Sequence, residues 1–174
     1  MIHHSKQTGF TIVELLIVVV VIAILAAITI VSFNGIQARA NQAKIDSDIS
    51  VLNKSILAAR NAKGEVPLKD ITAKSATGGD CWTKPSGTDL AALPRTDLCW
   101  TVYLASLDAI STASNINVRN LVDPWGRPYY MDENEGEGTV PACNKDRIGY
   151  YSRPFVTGQT MSTSKYIDTV QRVC

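Results

Sequence analysis

The chain has 174 residues, 17 of them basic and 16 acidic, for a formal net charge of +1. That length allows one globular domain with an extension. The near balance of charge excludes an electrostatic case for nucleic acid as the main partner. Only two histidines occur, His3 and His4, and the four cysteines (Cys81, Cys99, Cys143, Cys174) show no CxxC spacing, so the parts of a zinc site are missing.

The chain begins with a short stretch, Met1 to Gly9, that is mostly polar and contains Lys6, followed by an apolar run. From Leu15 to Val31 the sequence is LLIVVVVIAILAAITIV, with Thr29 as its only polar residue. With Phe10 to Val13 before it and Phe33 after it, the stretch is about 24 residues, enough to cross ~30 Å of hydrocarbon as a helix. A secretory signal has a shorter apolar core followed by a small-residue cleavage site, and no such site follows here, so the segment is expected to be retained. Glu14 is the odd residue. A carboxylate heading an apolar run is costly in hydrocarbon, and on physical grounds alone it would sit at the lipid interface.

The stretch Lys6-Gln7-Thr8-Gly9-Phe10-Thr11-Ile12-Val13-Glu14-Leu15-Leu16 resembles the type III signal of type IV prepilins and of type II secretion pseudopilins. The resemblance implies cleavage between Gly9 and Phe10 by a prepilin peptidase, N-methylation of Phe10, and pairing of Glu14 with the Phe10 amine of a neighbouring subunit in a helical filament. A buried carboxylate is costly alone and far less so when paired, so such a pair would select one axial register. The family often carries a Gly and a Pro within this helix. Ala23 and Val31 stand at the matching positions here, which leaves local melting of the helix open.

The helix is predicted to continue. Ile36 to Lys63 contains no proline, and Ile45, Ile49, Leu52, Ile56 and Ala59 recur at spacings of three and four, one face of a helix. Gly64 and Pro67 supply a stop. One helix from about Phe10 to Lys63 would be on the order of 80 Å long, apolar in its first half and amphipathic in its second. Asp70 to Leu98 is rich in Thr, Gly, Lys and Ser and reads as a loop tied down by Cys81 and Cys99. Leu98 to Ile110 favours a short helix capped by Thr96 or Asp97, with a strand as the alternative.

Next comes Leu121-Val122-Asp123-Pro124-Trp125-Gly126-Arg127-Pro128-Tyr129-Tyr130. It punctuates a turn and looks like the DPWG-x-PY signature of major pseudopilins and their pilin relatives, with Trp125 expected underneath the turn. Strands are expected near Tyr129 to Met131, at Arg147 to Arg153 and at Tyr166 to Val173. Trp100, Trp125, Tyr129, Tyr150 and Tyr151 are assigned to the core. The expected fold class is α+β, a pilin fold with the long N-terminal helix packed against a small C-terminal antiparallel β-sheet. The organisation is a leader over 1–9, an apolar transmembrane and assembly helix over 10–34, its amphipathic continuation over 35–64, and a globular head over 65–174. An even cysteine count behind a membrane-targeting segment suggests disulfides. Of three pairings, Cys81–Cys99 with Cys143–Cys174 is favoured as the simplest closure, and buried free thiols are the alternative.

The acidic run Asp132-Glu133-Asn134-Glu135-Gly136-Glu137 offers weak calcium ligands at Asp132, Asn134 and Glu135. Glu137 stands where an EF-hand needs glycine. The Ser-x-Gly-x-Asp-Gly segment of the pseudopilin calcium site is replaced by Gly149-Tyr150-Tyr151-Ser152-Arg153-Pro154. No cofactor is therefore assigned, and calcium at Asp132, Asn134 and Glu135 is a weak candidate only. No catalytic constellation is present, and an enzyme is not expected.

The function implied is a structural subunit of an extracellular type IV pilus-like filament. The alternative is a major pseudopilin of a type II secretion-like system, with a tip-located minor pilin sharing the same N-terminal features. From a different class, a membrane-tethered extracellular binding domain that does not polymerise would leave Glu14 and the Gly9/Phe10 junction unexplained. The partners implied are further copies of the chain, the prepilin peptidase, an inner-membrane platform protein with its assembly ATPase, and membrane lipid before assembly. The location implied is the cytoplasmic (inner) membrane in a single pass, then a surface filament or periplasmic pseudopilus.

Overall fold

The computed structural model describes residues 11–133 and 145–167, without the side chains of 29–32, 34 and 160–166. The chain divides into two compact units, Met1–Gln42 and Ala43–Cys174. Helix α1, Ile12–Ala62, contributes to both. It ends in a Schellman closure: the Glu65 amide donates to the Arg60 carbonyl at 2.8 Å and the Gly64 amide to that of Asn61 at 3.2 Å. Gly64 carries the positive φ, +87°, that this closure requires.

Within the second unit, the predicted stripe is the centre of the core. Leu52, Ile56 and Ala59 are fully buried, and Ile45 and Ile49 nearly so. Helix α2, Leu68–Thr72, covers it through Leu68, and helix α4, Leu98–Ser114, covers it through Trp100, Tyr103, Leu107 and Ile110. Asp97 caps α4, its side chain accepting from the Cys99 amide at 2.8 Å. A 2.7 Å bond from Lys84 holds the Asp97 carboxyl below its ordinary value. The helical reading of Leu98 to Ile110 therefore holds, and the helix runs one turn further, to a left-handed Asn115.

The stretch predicted as a plain loop contains the end of α2 and a short helix α3, Gly79–Trp82. The Cys81–Cys99 disulfide joins α3 to the first turn of α4. Cys143 and Cys174 lie outside the described residues.

The DPWG stretch is built around one carboxylate. Asp123 accepts from the amides of Trp125 (3.0 Å) and Arg127 (2.8 Å) and from Nε of Arg127 (2.7 Å). Gly126, with φ +78°, makes the turn possible without steric cost. The buried Arg127 guanidinium donates to the carbonyls of Ser152 (2.8 Å) and Tyr151 (3.0 Å), docking the turn on the sheet. Trp125 is half-buried and packs against the α1 core cluster, with the guanidinium carbons of Arg127 and Arg153 at 5.1 and 4.9 Å from its ring centre.

The sheet is an antiparallel meander of β1 (Tyr130–Asp132), β2 (Arg147–Tyr151) and β3 (Thr160–Tyr166), in that order. The third strand precedes the predicted Tyr166 to Val173, meeting it only at Tyr166. Its register against β2, from Tyr151↔Thr160 to Arg147↔Tyr166, places it there. Residues 168–174 lie outside the described residues. Period-two alternation buries both faces: Met131 and Ile148 join the α1 core, while Tyr130 and Tyr151 join a second cluster with Cys81, Cys99, Leu90 and Phe155. Trp100, Tyr129 and Tyr151 are core residues as expected, and Tyr150, like Trp125, is only half-buried.

Just past β1, Glu133 is fully buried. It accepts from the Thr77 amide at 2.7 Å and makes a short bond with the Thr77 hydroxyl, which contacts that of Ser106 at 2.8 Å. Burial pushes the Glu133 carboxyl from an ordinary 4.5 up to about 7. Asp146 acts in the same direction, and the Thr77 bonds oppose it. A folded-state value raised above the unfolded one means that the contribution is complete below pH about 4.5 and is lost as pH climbs through about 7, to a maximum of about 3 kcal/mol. Urea unfolding at pH 5 and pH 8 is expected to show wild type losing stability with rising pH. Glu133→Gln, which keeps an uncharged acceptor for the Thr77 amide, is expected to remove most of that slope.

Candidate assembly site

The head of α1 is fixed by a reciprocal pair of bonds. The Glu14 amide donates to Thr11 Oγ1 at 3.2 Å, and the Thr11 amide donates to Glu14 Oε2 at 2.9 Å. Thr11 Oγ1 also donates to Glu14 Oε2 at 2.9 Å, and the Thr11 carbonyl receives the first helical bond, from the Leu15 amide at 3.3 Å. This is a capping box with Thr11 as the N-cap and Glu14 at the third helical position. The sequence analysis did not assign Thr11 a role, although the Thr-x-x-Glu spacing ahead of an apolar run was the signal for one.

From Ile12 to Ile28 every large apolar side chain is exposed, between 48 and 85%. The chain passes Gly35 as uninterrupted helix, with Ala23 and Val31 at the positions where breakers were considered. The apolar run of the sequence continues to Val31, and the side chains of 29–32 lie outside the described ones. No helix among the described residues is long and apolar enough to cross a membrane.

Of the other residues singled out in the sequence, Gly9 and Phe10 lie outside the described residues, as do Asn134 and Glu135. Asp132 is engaged by Arg147 Nε at 2.6 Å and by the Tyr130 hydroxyl at 3.1 Å. Among the described residues no group of three or more His, Cys, Asp or Glu could hold a metal ion. Two buried carboxylates not given roles before, Asp123 and Asp146, organise loops. Asp146 accepts from Arg60 at 2.5 Å and from the Leu68 amide at 3.3 Å. The partners of Asp146 are far away in sequence, so no local pattern announced it, whereas those of Asp123 lie two and four residues on, within the turn.

Residues 4–30 match the family described as the prokaryotic N-terminal methylation motif. The chain is also 35% identical over 82 residues to the type IV narrow pilus major component PilA5 of Thermus thermophilus, an alignment covering 45% of this chain and 71% of that one. The chain belongs to the type IV pilin family. No solved structure matches it. Membership makes this pilin a pilus-like structural subunit, and its long helix packed on helices and a small antiparallel sheet is the α+β arrangement of the family.

The geometry gives Thr11 a measurable role. Thr11→Ala removes the side-chain half of the box, a substitution that ordinarily loosens a helix start. Amide exchange at residues 12 to 16 is expected to accelerate about fivefold, with Thr11→Ser retaining most of the protection. Unchanged exchange in Thr11→Ala would show that the box does not order the first turn.

Proposed function

We propose that this pilin is made as a membrane-inserted precursor, is cut between Gly9 and Phe10 by a prepilin peptidase, and polymerises through its N-terminal helix into an extracellular filament. The observation that carries this reading is the head of α1. A continuous exposed apolar surface has one carboxylate, Glu14, at its start. Exposed apolar area on this scale marks a surface that lipid or other protein covers, and the same surface serves both before and after assembly. The partners are further copies of the chain, the inner-membrane platform protein and the assembly ATPase, with lipid as the solvent of the helix before extraction.

The likeness to a major pilus component favours a pilus subunit. Asp123-Pro124-Trp125-Gly126 keeps a secretion pseudopilus as the second reading. Neighbouring genes separate the two: a retraction motor accompanies a pilus, and secretion components accompany a pseudopilus.

Intact-mass measurement of sheared filaments is expected to give a subunit beginning at Phe10 with one added methyl group. Gly9→Leu is expected to accumulate precursor in the membrane, and filaments still carrying residues 1–9 would contradict the cleavage. Glu14→Ala is expected to be processed, folded and membrane-resident, yet to yield few or no filaments by electron microscopy. Glu14→Asp, with the charge but less reach, should fall between. Normal filament yield from Glu14→Ala at wild-type subunit levels would show that the apolar helices alone set the register.

A further inference from the structure

Three loops of the second unit meet at a groove of about 370 Å³, a size suited to a small ligand. One wall, with Thr88 and Asp89, belongs to the stretch that the Cys81–Cys99 disulfide closes. The second is the DPWG turn, with Trp125, and the third is the β2–β3 connection, with Arg153, Pro154 and Phe155. The walls are tied together. The Gly87 amide donates to the Phe155 carbonyl at 2.9 Å, the Thr157 hydroxyl to the Lys84 carbonyl at 2.6 Å, and the Thr157 amide to Ser86 Oγ at 3.0 Å. The Arg127 bonds hold the turn to the same connection.

The chemistry of the lining is specific. Arg127 is already balanced by Asp123 at 2.7 Å and spends its donors on the fold. Arg153 is exposed, lies against the Trp125 ring, and has no carboxylate within ion-pairing distance among the described residues. Its planar fork suits a carboxylate. The wall with Thr88 and Asp89 presents acceptors: Asp89 uses Oδ1 on the Ala91 amide while its Oδ2 accepts nothing from the described residues, and Thr88 spends its hydroxyl proton on the Pro85 carbonyl. Open acceptors call for a ligand that brings O–H donors. Trp125, Pro154 and Phe155 add apolar surface for C–H groups. The chain as a whole carries only +1, so phosphate-rich strands fit poorly.

We propose that this groove binds a carboxylate-bearing saccharide, with the sugar carboxylate on Arg153, its hydroxyls on Asp89 and Thr88, and its apolar face against Trp125 and Pro154. This goes beyond the filament reading and is tested independently of it, on unassembled full chain in a non-glycosidic detergent. Calorimetric titration with tetragalacturonate is expected to show binding, at least tenfold tighter than that of the uncharged galactotetraose. Arg153→Gln should weaken the acidic ligand at least tenfold while leaving the neutral one unchanged. Asp89→Asn should weaken both to a similar degree, and Arg119→Gln, a distant exposed arginine paired with Asp108, should change neither. If Arg153→Gln does not fold, Arg153→Lys decides: it keeps the charge and loses the fork, and at least threefold weakening is expected. No heat with tetragalacturonate, equal affinity for wild type and the Arg153 variants, or equal binding of an octathymidylate or a tetraglutamate peptide would each overturn the assignment.

Discussion

The second unit is arranged around one obligation, the covering of the apolar stripe on α1. Ile45, Ile49, Leu52, Ile56 and Ala59 form a face that a lone helix would leave in water. Four later elements contribute side chains to it: Leu68 from α2, Tyr103 and Leu107 from α4, Met131 from β1, Ile148 from β2. The stripe carries no directional information by itself, since burial of apolar area is non-directional. The arrangement of the covering elements must come from polar contacts at its ends.

Those contacts lie on α1 itself. Toward the N-terminal end of the stripe, Lys44 donates to the Val122 carbonyl at 2.7 Å, and Asp48 accepts from the Tyr129 hydroxyl at 2.7 Å. They fix the DPWG stretch on either side of Asp123. Toward the C-terminal end, Arg60 and Asp146 form a buried pair that also satisfies the first amide of α2. A buried pair of this kind contributes little net stability against an apolar substitute, but losing one partner leaves an uncompensated charge. Its value here is register: it determines which residue after the β1–β2 connection meets the end of α1. The Asp123–Arg127 pair does the same for the turn and β2, so charge pairs set the position of elements whose burial supplies the driving force.

How much of this was legible in the sequence follows from the range of each interaction. The long helix, its stripe, the Gly64 stop and the Asp97 cap are local patterns within a few residues, and each appears in the structure. The DPWG turn was legible as a turn, but the burial of Arg127 depends on its reaching Tyr151 and Ser152, more than twenty residues away. The strand over Thr160 to Tyr166 was not foreseen because its boundaries are set by pairing with β2, while the stretch Thr160 to Lys165 has few apolar residues to mark it. Glu133 read as one member of an acidic run. Its burial requires Thr77 and Ser106 to converge from two other segments. Thr11 differs from these, since its signal was local, but the cleavage motif overlapping it drew the reading toward processing.

That overlap bears on how Glu14 can serve assembly. In the single subunit, both bonds from Thr11 to the carboxylate fall on Oε2, and Oε1 accepts nothing from the described residues. A carboxylate has lone pairs for about four donors, so capping its own helix uses one oxygen and leaves the other for the Phe10 amine of a neighbour. Under the proposed assembly, the cap need not break for the intersubunit pair to form. The box then acts as preorganisation: Glu14 is already held by Thr11 in a fixed orientation, and less side-chain freedom is lost when the pair closes. The same geometry explains why a shorter acid should be a partial substitute. Aspartate at this position retains the charge, yet it cannot reach back to the Thr11 amide and forward to a neighbouring amine with the same reach, so it must give up part of one interaction to make the other.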